Sequence, residues 1–242
     1  SMSKAVAAAI SVVGKESVQK HSFVHAHGSS TPANRVTESE LIDRVASAFD
    51  IYDWPVTAIK SYVGHSLSTA SGDQLVTALG TFKYGVIPGI KTITEIAPDV
   101  HQERGRYALQ DLDVSNTKMD VAFINSKGFG GNNATALVLS PEKVDAMLST
   151  RYADQFDDYL KRREATRSAA ADYAVRADDA QLDSIYRFGE AVIDDADLTL
   201  SSQEIIVPGF DRKIVFETEN PWSDMASTDS APKSAPQTAE VD

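Results

Sequence analysis

Cysteine is absent from all 242 residues of the sequence. The chain can therefore form no disulfide, no thiolate metal site and no cysteine nucleophile of its own. It also lacks a run of about 20 apolar residues, which a membrane-spanning helix needs. Its start, Ser1-Met2-Ser3, lacks the basic and apolar segments of a secretory signal. These absences predict a cytoplasmic protein with no membrane partner.

Positive charge is also scarce, with 23 Lys and Arg against 35 Asp and Glu and a net charge of -12. Residues 1–140 hold 12 basic and 13 acidic residues, which leaves 11 basic and 22 acidic residues after position 140. Proteins that bind nucleic acids neutralise phosphates with clustered Lys and Arg, and the sequence has no such stripe. We therefore expect no nucleic-acid partner.

Helical and strand patterns alternate through the first 140 residues, which is typical of an α/β fold. Thr37 and Glu40 fit a capping box at the start of the second helix. The apolar, alanine-rich first helix opens abruptly, so we expect that sequence upstream of it has been removed. The patterns predict helices over 3–14, 37–49 and 73–84, and strands over 22–26, 56–65, 121–125 and 134–139, the last two antiparallel.

Composition changes after residue 140 and divides the chain into three predicted regions. Residues 1–140 form the α/β domain. Residues 141–222 form an acidic extension with a charged helix over 142–176 and a hairpin over 197–218, which turns at Pro208-Gly209. Residues 223–242 are rich in Ser, Ala, Pro and Asp, a composition typical of a disordered tail.

Three clusters of polar and small residues each follow a predicted strand: Ala26-His27-Gly28-Ser29-Ser30-Thr31-Pro32, Lys60-Ser61-Tyr62-Val63-Gly64-His65 and Asn125-Ser126-Lys127-Gly128-Phe129-Gly130-Gly131-Asn132-Asn133. A neutral histidine beside glycine can donate a hydrogen bond to a developing oxyanion. Taken alone, His27 could instead satisfy a loop carbonyl, and the third cluster could be an ordinary tight turn. That cluster lacks the spacing of a nucleotide-binding loop.

In this order, the three clusters resemble the C-terminal half of the β-ketoacyl synthases of the thiolase superfamily, with Val86-Ile87-Pro88-Gly89-Ile90 matching the loop between the second and third motifs. The resemblance covers residues 3–140. It implies an α/β fold, the C-terminal half of a thiolase-like αβαβα fold, here with a helical and small β-hairpin C-terminal extension.

The resemblance also implies residue roles. His27 and His65 would bind the malonyl thioester carbonyl and stabilise the enolate as carbon dioxide leaves. Lys60 would orient the histidine pair, and Phe129 would gate the nucleophile while its N–H contributes to an oxyanion hole. Ser29, Thr31 and Gly130 would bind the pantetheine and acyl groups. No metal and no cofactor are expected, because the substrates are carried on the phosphopantetheine of acyl carrier protein or on CoA.

The implied reaction is decarboxylative Claisen condensation of an acyl thioester with malonyl-carrier protein, in fatty acid or polyketide biosynthesis. The parent would be a homodimer, and the missing N-terminal half of the synthase would supply the cysteine, so we expect the isolated chain to be inactive. The alternative is a non-catalytic partner subunit that shapes an acyl tunnel. The long acidic extension resembles that of elongated bacterial fatty-acid synthases of this class.

Two positions depart from the family pattern. Gln74 stands where we expect a glutamate that pairs with the lysine, so Lys60 would be held less firmly or would pair with Asp73. Lys127 stands where many members have an aromatic residue, which would either change the acyl pocket or leave an exposed lysine.

Overall fold

The computed structural model describes residues 1–183, 185, 188–190 and 192–216, and these form two compact units divided between Ser168 and Ala169. The first unit begins with five helices and two strands. They are α1 Met2–Val13, α2 Lys15–Lys20, β1 Ser22–His25, α3 Pro32–Ala48, β2 Trp54–Thr57, α4 Lys60–Val63 and α5 Ala70–Tyr84. Six strands and helices follow: β3 Val86–Ile87, β4 Gly105–Tyr107, β5 Leu112–Asp113, β6 Val121–Lys127, β7 Asn133–Leu139 and α6 Pro141–Arg151.

A five-stranded sheet organises the first unit, in the order β4-β2-β1-β6-β7. Strands β4, β2, β1 and β6 run parallel, and β7 returns antiparallel to β6, as predicted for 134–139. Because the parallel strands point the same way, their carboxyl ends meet at one edge of the sheet. The predicted α/β class is confirmed.

Helices cover both faces of the sheet, and successive side chains of β1 point to opposite faces. Val24 packs with Ile42 of α3 and with residues of α1, whereas its neighbour Phe23 packs with Ala78 of α5. Trp54 is 1% exposed and meets Phe123 edge to face at 5.6 Å between ring centroids. Such a pair adds about 0.5–1.5 kcal/mol beyond the area that it buries. The loops at the carboxyl edge are therefore carried by a sheet that is packed on both faces.

Two predicted features of this region are wrong. The strand predicted over 56–65 ends at Thr57, and Lys60–Val63 form one helical turn that ends at Gly64 with φ 75°. The predicted capping box also fails, because α3 begins at Pro32 with Thr31 as its N-cap. Proline suits a first helical position, where its missing N–H is not needed. Thr37 therefore lies inside the helix, where its hydroxyl donates to the Ala33 carbonyl at 2.8 Å.

The charged stretch after residue 140 forms two helices rather than one, because the helix is interrupted at Tyr152. The second helix is α7, Phe156–Asp178. Three short strands follow: β8 Thr199–Leu200, β9 Glu204–Ile206 and β10 Ile214–Val215, which pair as one antiparallel sheet. The predicted turn at Pro208-Gly209 is confirmed, because Phe210 N donates to Val207 O at 3.2 Å. The boundaries proposed at 140 and 222 stay predictions, and the predicted tail 223–242 lies outside the described residues. Within the described part of the chain, no helix combines the length and apolar character needed to cross a membrane.

Candidate active site

Three neighbouring strands deliver the three sequence clusters to one place. Strand β1 lies between β2 and β6, and all three run parallel. His27 follows the end of β1, Lys60 and His65 follow β2, and Lys127 ends β6. Residues that follow the carboxyl ends of adjacent parallel strands commonly form the binding crevice of an α/β sheet.

The two histidines predicted to act together are side by side. The rings of His27 and His65 lie 5.2 Å apart between centroids and meet edge to face at 77°. His27 is 8% exposed, whereas His65 is exposed. The two rings therefore meet although these residues are far apart in sequence. The convergence of Phe129 with them and the roles of all three residues stay predictions.

Backbone hydrogen bonds select one tautomer for both rings. Lys127 N donates to His27 Nδ1 at 3.3 Å, and Leu67 N donates to His65 Nδ1 at 3.1 Å. A neutral imidazole whose Nδ1 accepts a hydrogen bond carries its proton on Nε2. Each neutral ring therefore presents an Nε2–H donor, which is the group that a developing oxyanion requires.

The surroundings of His27 favour its neutral form. Burial lowers the pKa of His27 below the ordinary value of 6.5, and the positive charge of Lys60 lowers this pKa further. The carboxylate of Glu38 opposes the shift, whereas His65 and Lys127 add to it. At neutral pH the His27 ring is therefore a neutral hydrogen-bond donor rather than a cation.

Lys60 contacts the first histidine directly. Its ammonium donates to the His27 carbonyl oxygen at 2.6 Å and lies 3.5 Å from His27 Nδ1. Burial lowers the pKa of Lys60, while the negative charges of Glu38 and then Asp73 oppose that shift. Within the described residues Lys60 forms no ion pair with a carboxylate, so of the two alternatives for Lys60 the pairing with Asp73 is not observed. Asp73 instead accepts a hydrogen bond from the Ser66 hydroxyl at 2.5 Å.

Glu38 is a site residue that sequence reasoning missed. It is 4% exposed, and its two oxygens accept hydrogen bonds from His27 N at 2.8 Å, Gly28 N at 3.0 Å, Asn34 Nδ2 at 3.1 Å and Asn125 Nδ2 at 2.5 Å. A carboxylate that is buried so completely needs this many donors. The available signal was its position, because Glu38 stands three and four residues before Leu41 and Ile42, on the apolar face of α3.

Gln74 joins two of the strand ends instead of holding the lysine. Its side chain is fully buried, and Nε2 donates to Ala26 O at 2.7 Å and to Asn125 O at 3.3 Å. Gln74 Oε1 has no hydrogen-bond partner among the described residues. The negative charge expected beside Lys60 comes instead from Glu38 of α3, which favours the charged form of the lysine.

His25, two residues before His27, is a second group that the sequence did not single out. It is fully buried, and its ring lies 5.4 Å from that of Phe23. Neither ring nitrogen has a hydrogen-bond partner in the described part of the chain. Burial lowers the pKa of His25 to about 4, so the ring is neutral at physiological pH.

The remaining predicted residues border this edge. Phe129 is 92% exposed in the turn between β6 and β7, which is closed by Gly128 N donating to Asn132 O at 2.8 Å. Gly130 has φ 79°, a conformation that glycine adopts readily. Ser29 is half-buried, and Thr31 is exposed at the start of α3. The roles of Phe129, Gly130, Ser29 and Thr31 stay predictions.

Comparison with known proteins supports one family. The family model for the β-ketoacyl synthase C-terminal domain matches residues 1–94. The chain is 54% identical over 226 residues to β-ketoacyl-[acyl-carrier-protein] synthase FabY of Pseudomonas aeruginosa, covering 93% of this chain and 35% of the relative. It is 35% identical over 114 residues to 3-oxoacyl-[acyl-carrier-protein] synthase 2 of Synechocystis sp., covering 47% of this chain and 26% of that relative.

A solved structure agrees with these sequence matches. The crystal structure of the noncanonical ketosynthase FabY from P. aeruginosa superposes with a TM-score of 0.75 at 53% identity, over 93% of this chain and 35% of that one. The match confirms the predicted thiolase-like fold. The chain spans about a third of the length of this relative.

Proposed function

This chain carries the C-terminal domain of the β-ketoacyl synthase family, and we propose that it supplies the histidine half of a decarboxylating condensing site. The reaction is Claisen condensation of an acyl thioester with malonyl-carrier protein, in fatty acid or polyketide synthesis. The observation that carries the proposal is the pair of adjacent imidazoles, His27 and His65, each with Nδ1 occupied by a backbone N–H.

The pair suits the decarboxylation step. When the malonyl carboxylate leaves as carbon dioxide, the electrons of the broken C–C bond form an enolate, and negative charge develops on the thioester oxygen. Two Nε2–H groups held in place can donate to that oxygen. One preorganised donor of this kind contributes about 3 kcal/mol to transition-state stabilisation. A neutral imidazole such as that of His27 can donate this hydrogen bond through Nε2–H and keep its proton.

Lys60 and Glu38 position the first histidine. Lys60 Nζ holds the His27 carbonyl oxygen, and Glu38 holds the N–H groups of His27 and Gly28. The loop that carries the imidazole is therefore fixed from both sides before substrate binds. Such preorganisation is what makes hydrogen-bond donors effective, because no reorganisation is needed during the reaction.

In the proposed reaction a cysteine is acylated, and none of these 242 residues is cysteine. We propose that a cysteine in the part of the synthase outside this chain takes up the acyl group. Phe129 gates that residue, and its backbone N–H contributes to the oxyanion hole. Ser29, Thr31 and Gly130 contact the pantetheine arm.

Partners follow from the same proposal. The substrates arrive on acyl carrier protein or CoA, and the intact parent is a cytoplasmic homodimer. The alternative, a non-catalytic subunit that shapes an acyl tunnel, has no need for two converging imidazoles with the same tautomer. The geometry of His27 and His65 therefore favours a catalytic role over that of a non-catalytic subunit.

A condensation assay tests the function. The full-length protein, given an acyl-CoA or acyl-carrier primer and malonyl-carrier protein, should form β-ketoacyl-carrier protein, which mass spectrometry detects. The isolated 242-residue chain should form neither this product nor a covalent acyl adduct. A full-length protein that is folded and yet inactive with every primer tested would support the non-catalytic alternative.

A further inference from the structure

Gln74 is fully buried on α5, on the face of the sheet opposite to Glu38 of α3. It stands where the family pattern predicts a glutamate, and neither the predicted roles nor the proposed condensation gives it a task. Its contacts nevertheless converge on the backbone of His27, the first histidine of the site.

Gln74 and Glu38 hold the same peptide group, the one that joins Ala26 to His27. Gln74 Nε2 donates to the oxygen of this peptide, Ala26 O, at 2.7 Å. Glu38 Oε1 accepts from its nitrogen, His27 N, at 2.8 Å. The C=O and N–H of a trans peptide lie in one plane and point in opposite directions. The peptide is therefore held from both faces of the sheet, and its plane sets the direction in which the imidazole leaves the backbone.

Gln74 also joins β1 to β6 just beyond the last pair of their parallel ladder. That pair is His25 with Ile124, and the next residues along the two strands are Ala26 and Asn125. Gln74 Nε2 donates to the carbonyl oxygens of both residues, at 2.7 Å and 3.3 Å. One side-chain amide thus holds the two strand ends together where backbone pairing stops.

Asn125 links this contact to the tautomer of the ring. Its carbonyl accepts from Gln74, and its side-chain Nδ2 donates to Glu38 Oε1 at 2.5 Å. Two residues further along β6, Lys127 N donates to His27 Nδ1 at 3.3 Å. The distance from that donor to the ring depends on how the ends of β1 and β6 are held together, and Gln74 makes this contact.

The surroundings of the Gln74 amide fix its orientation. Nε2 lies within 3.5 Å of three backbone carbonyl oxygens, those of His25, Ala26 and Asn125. The reverse orientation would place Oε1 against these acceptors, and a glutamate would place a negative charge there. A neutral amide donor therefore suits the position better than a carboxylate, which gives a physical reason for the departure from the family pattern.

We propose that Gln74 is a positioning residue for decarboxylation. By holding the Ala26–His27 peptide and the end of β6, it keeps His27 Nδ1 on its backbone donor and the Nε2–H group free for the enolate oxygen. The catalytic consequence rests on the proposed function, whereas the effect on the ring does not. His65 is not involved, because Leu67 N holds its Nδ1.

NMR of the histidine ring nitrogens in the 242-residue chain tests the effect on the ring. Gln74→Met keeps the length of the side chain and removes the N–H donor. The two nitrogen shifts of His27 should then move toward each other, because the ring loses its fixed tautomer, while those of His65 stay unchanged. Gln19→Met is the matched control and should alter neither ring, since Gln19 Nε2 also holds a backbone oxygen, Phe49 O at 2.9 Å, but precedes the start of β1.

Hydrogen exchange in the unaltered chain gives a second measurement, which does not depend on how the variant folds. The buried side-chain NH₂ of Gln74 should exchange with solvent at least about 100-fold more slowly than that of the exposed Gln102. Equal exchange rates would overturn the proposal, because the amide would then not be held between the strand ends.

The full-length protein gives the catalytic measurement. Gln74→Met should slow carbon dioxide release from malonyl-carrier protein by about tenfold or more, through kcat rather than KM, while acylation proceeds and Gln19→Met matches the unaltered protein. Unchanged His27 shifts in a folded Gln74→Met, or an equal loss of decarboxylation in Gln19→Met, would overturn the proposal. Failure of the proposed function would appear separately, as normal carbon dioxide release by His27→Ala.

Discussion

The backbone N–H of Lys127 donates a hydrogen bond to Nδ1 of His27, 100 residues away in sequence. The contact joins the end of β6 to the first histidine and sets its tautomer. The Lys127 ammonium turns elsewhere and donates to Thr37 Oγ1 at 2.8 Å. The part of Lys127 that fixes the ring is thus its backbone, which any residue except proline would supply.

Lys127→Met should therefore keep the Nε2–H tautomer of His27 and raise its pKa, because the substitution removes a positive charge that disfavours the imidazolium. Lys127→Arg keeps the charge and should leave the pKa unchanged. NMR titration of ring-labelled histidine measures both tautomer and pKa. A switch to the Nδ1–H tautomer in Lys127→Met would show that the backbone contact does not control the ring.

Replacing the buried carboxylate should destabilise the fold as well as the site. Glu38→Gln puts an amide NH₂ among four N–H donors, so at least one buried donor loses its acceptor, at a cost of about 2–4 kcal/mol in the free energy of unfolding. Glu40→Gln on the same helix breaks only an exposed pair with Arg44 and should cost less than about 0.5 kcal/mol. Urea denaturation compares the two, and equal losses would count against the role given to Glu38.

Gly28 is the residue of the His27 loop that tolerates no side chain. Its φ is +59°, and an added Cβ would lie 2.8 Å from Ala58 Cβ. Gly28→Ala should therefore cost about 1–3 kcal/mol and displace His27. Gly80→Ala in the interior of α5 meets no atom within 4 Å and should stabilise the chain by about 0.5–1 kcal/mol. Thermal unfolding of both variants provides the measurement, and a harmless Gly28→Ala would contradict this view of the loop.

Local features of the sequence predicted much of this arrangement. The glycine next to His27 and the glycine-rich turn after β6 each mark the end of a strand, and a few consecutive residues suffice to recognise them. Glu38 was missed because its four donors come from the His27 loop, from α3 and from β6, and no local pattern brings those together. The predicted strand over 56–65 was right only for Val56 and Thr57, which favour a strand. After Thr57 the chain turns into α4, where Lys60 contacts His27.

His25 should make the stability of the chain depend on pH. Its pKa is about 4 when folded and 6.5 when unfolded, so between these values the unfolded chain binds a proton that the folded chain does not. Stability should fall as the pH drops from about 6.5 to about 4, by up to about 3 kcal/mol. His25→Leu should remove this part of the dependence, whereas the exposed His101→Ala should keep it. Denaturation at a series of pH values would contradict the account if His25→Leu and the unaltered chain lost stability equally.

The central claim is that His27 and His65 stabilise the enolate formed on decarboxylation. The most direct measurement follows carbon dioxide release from malonyl-carrier protein by the full-length protein, alongside the intact mass of its acyl-enzyme. His27→Ala and His65→Ala should each slow decarboxylation by about 100-fold or more while acylation of the nucleophile proceeds, and His101→Ala should behave like the unaltered protein. Undiminished carbon dioxide release by both active-site variants would contradict the account.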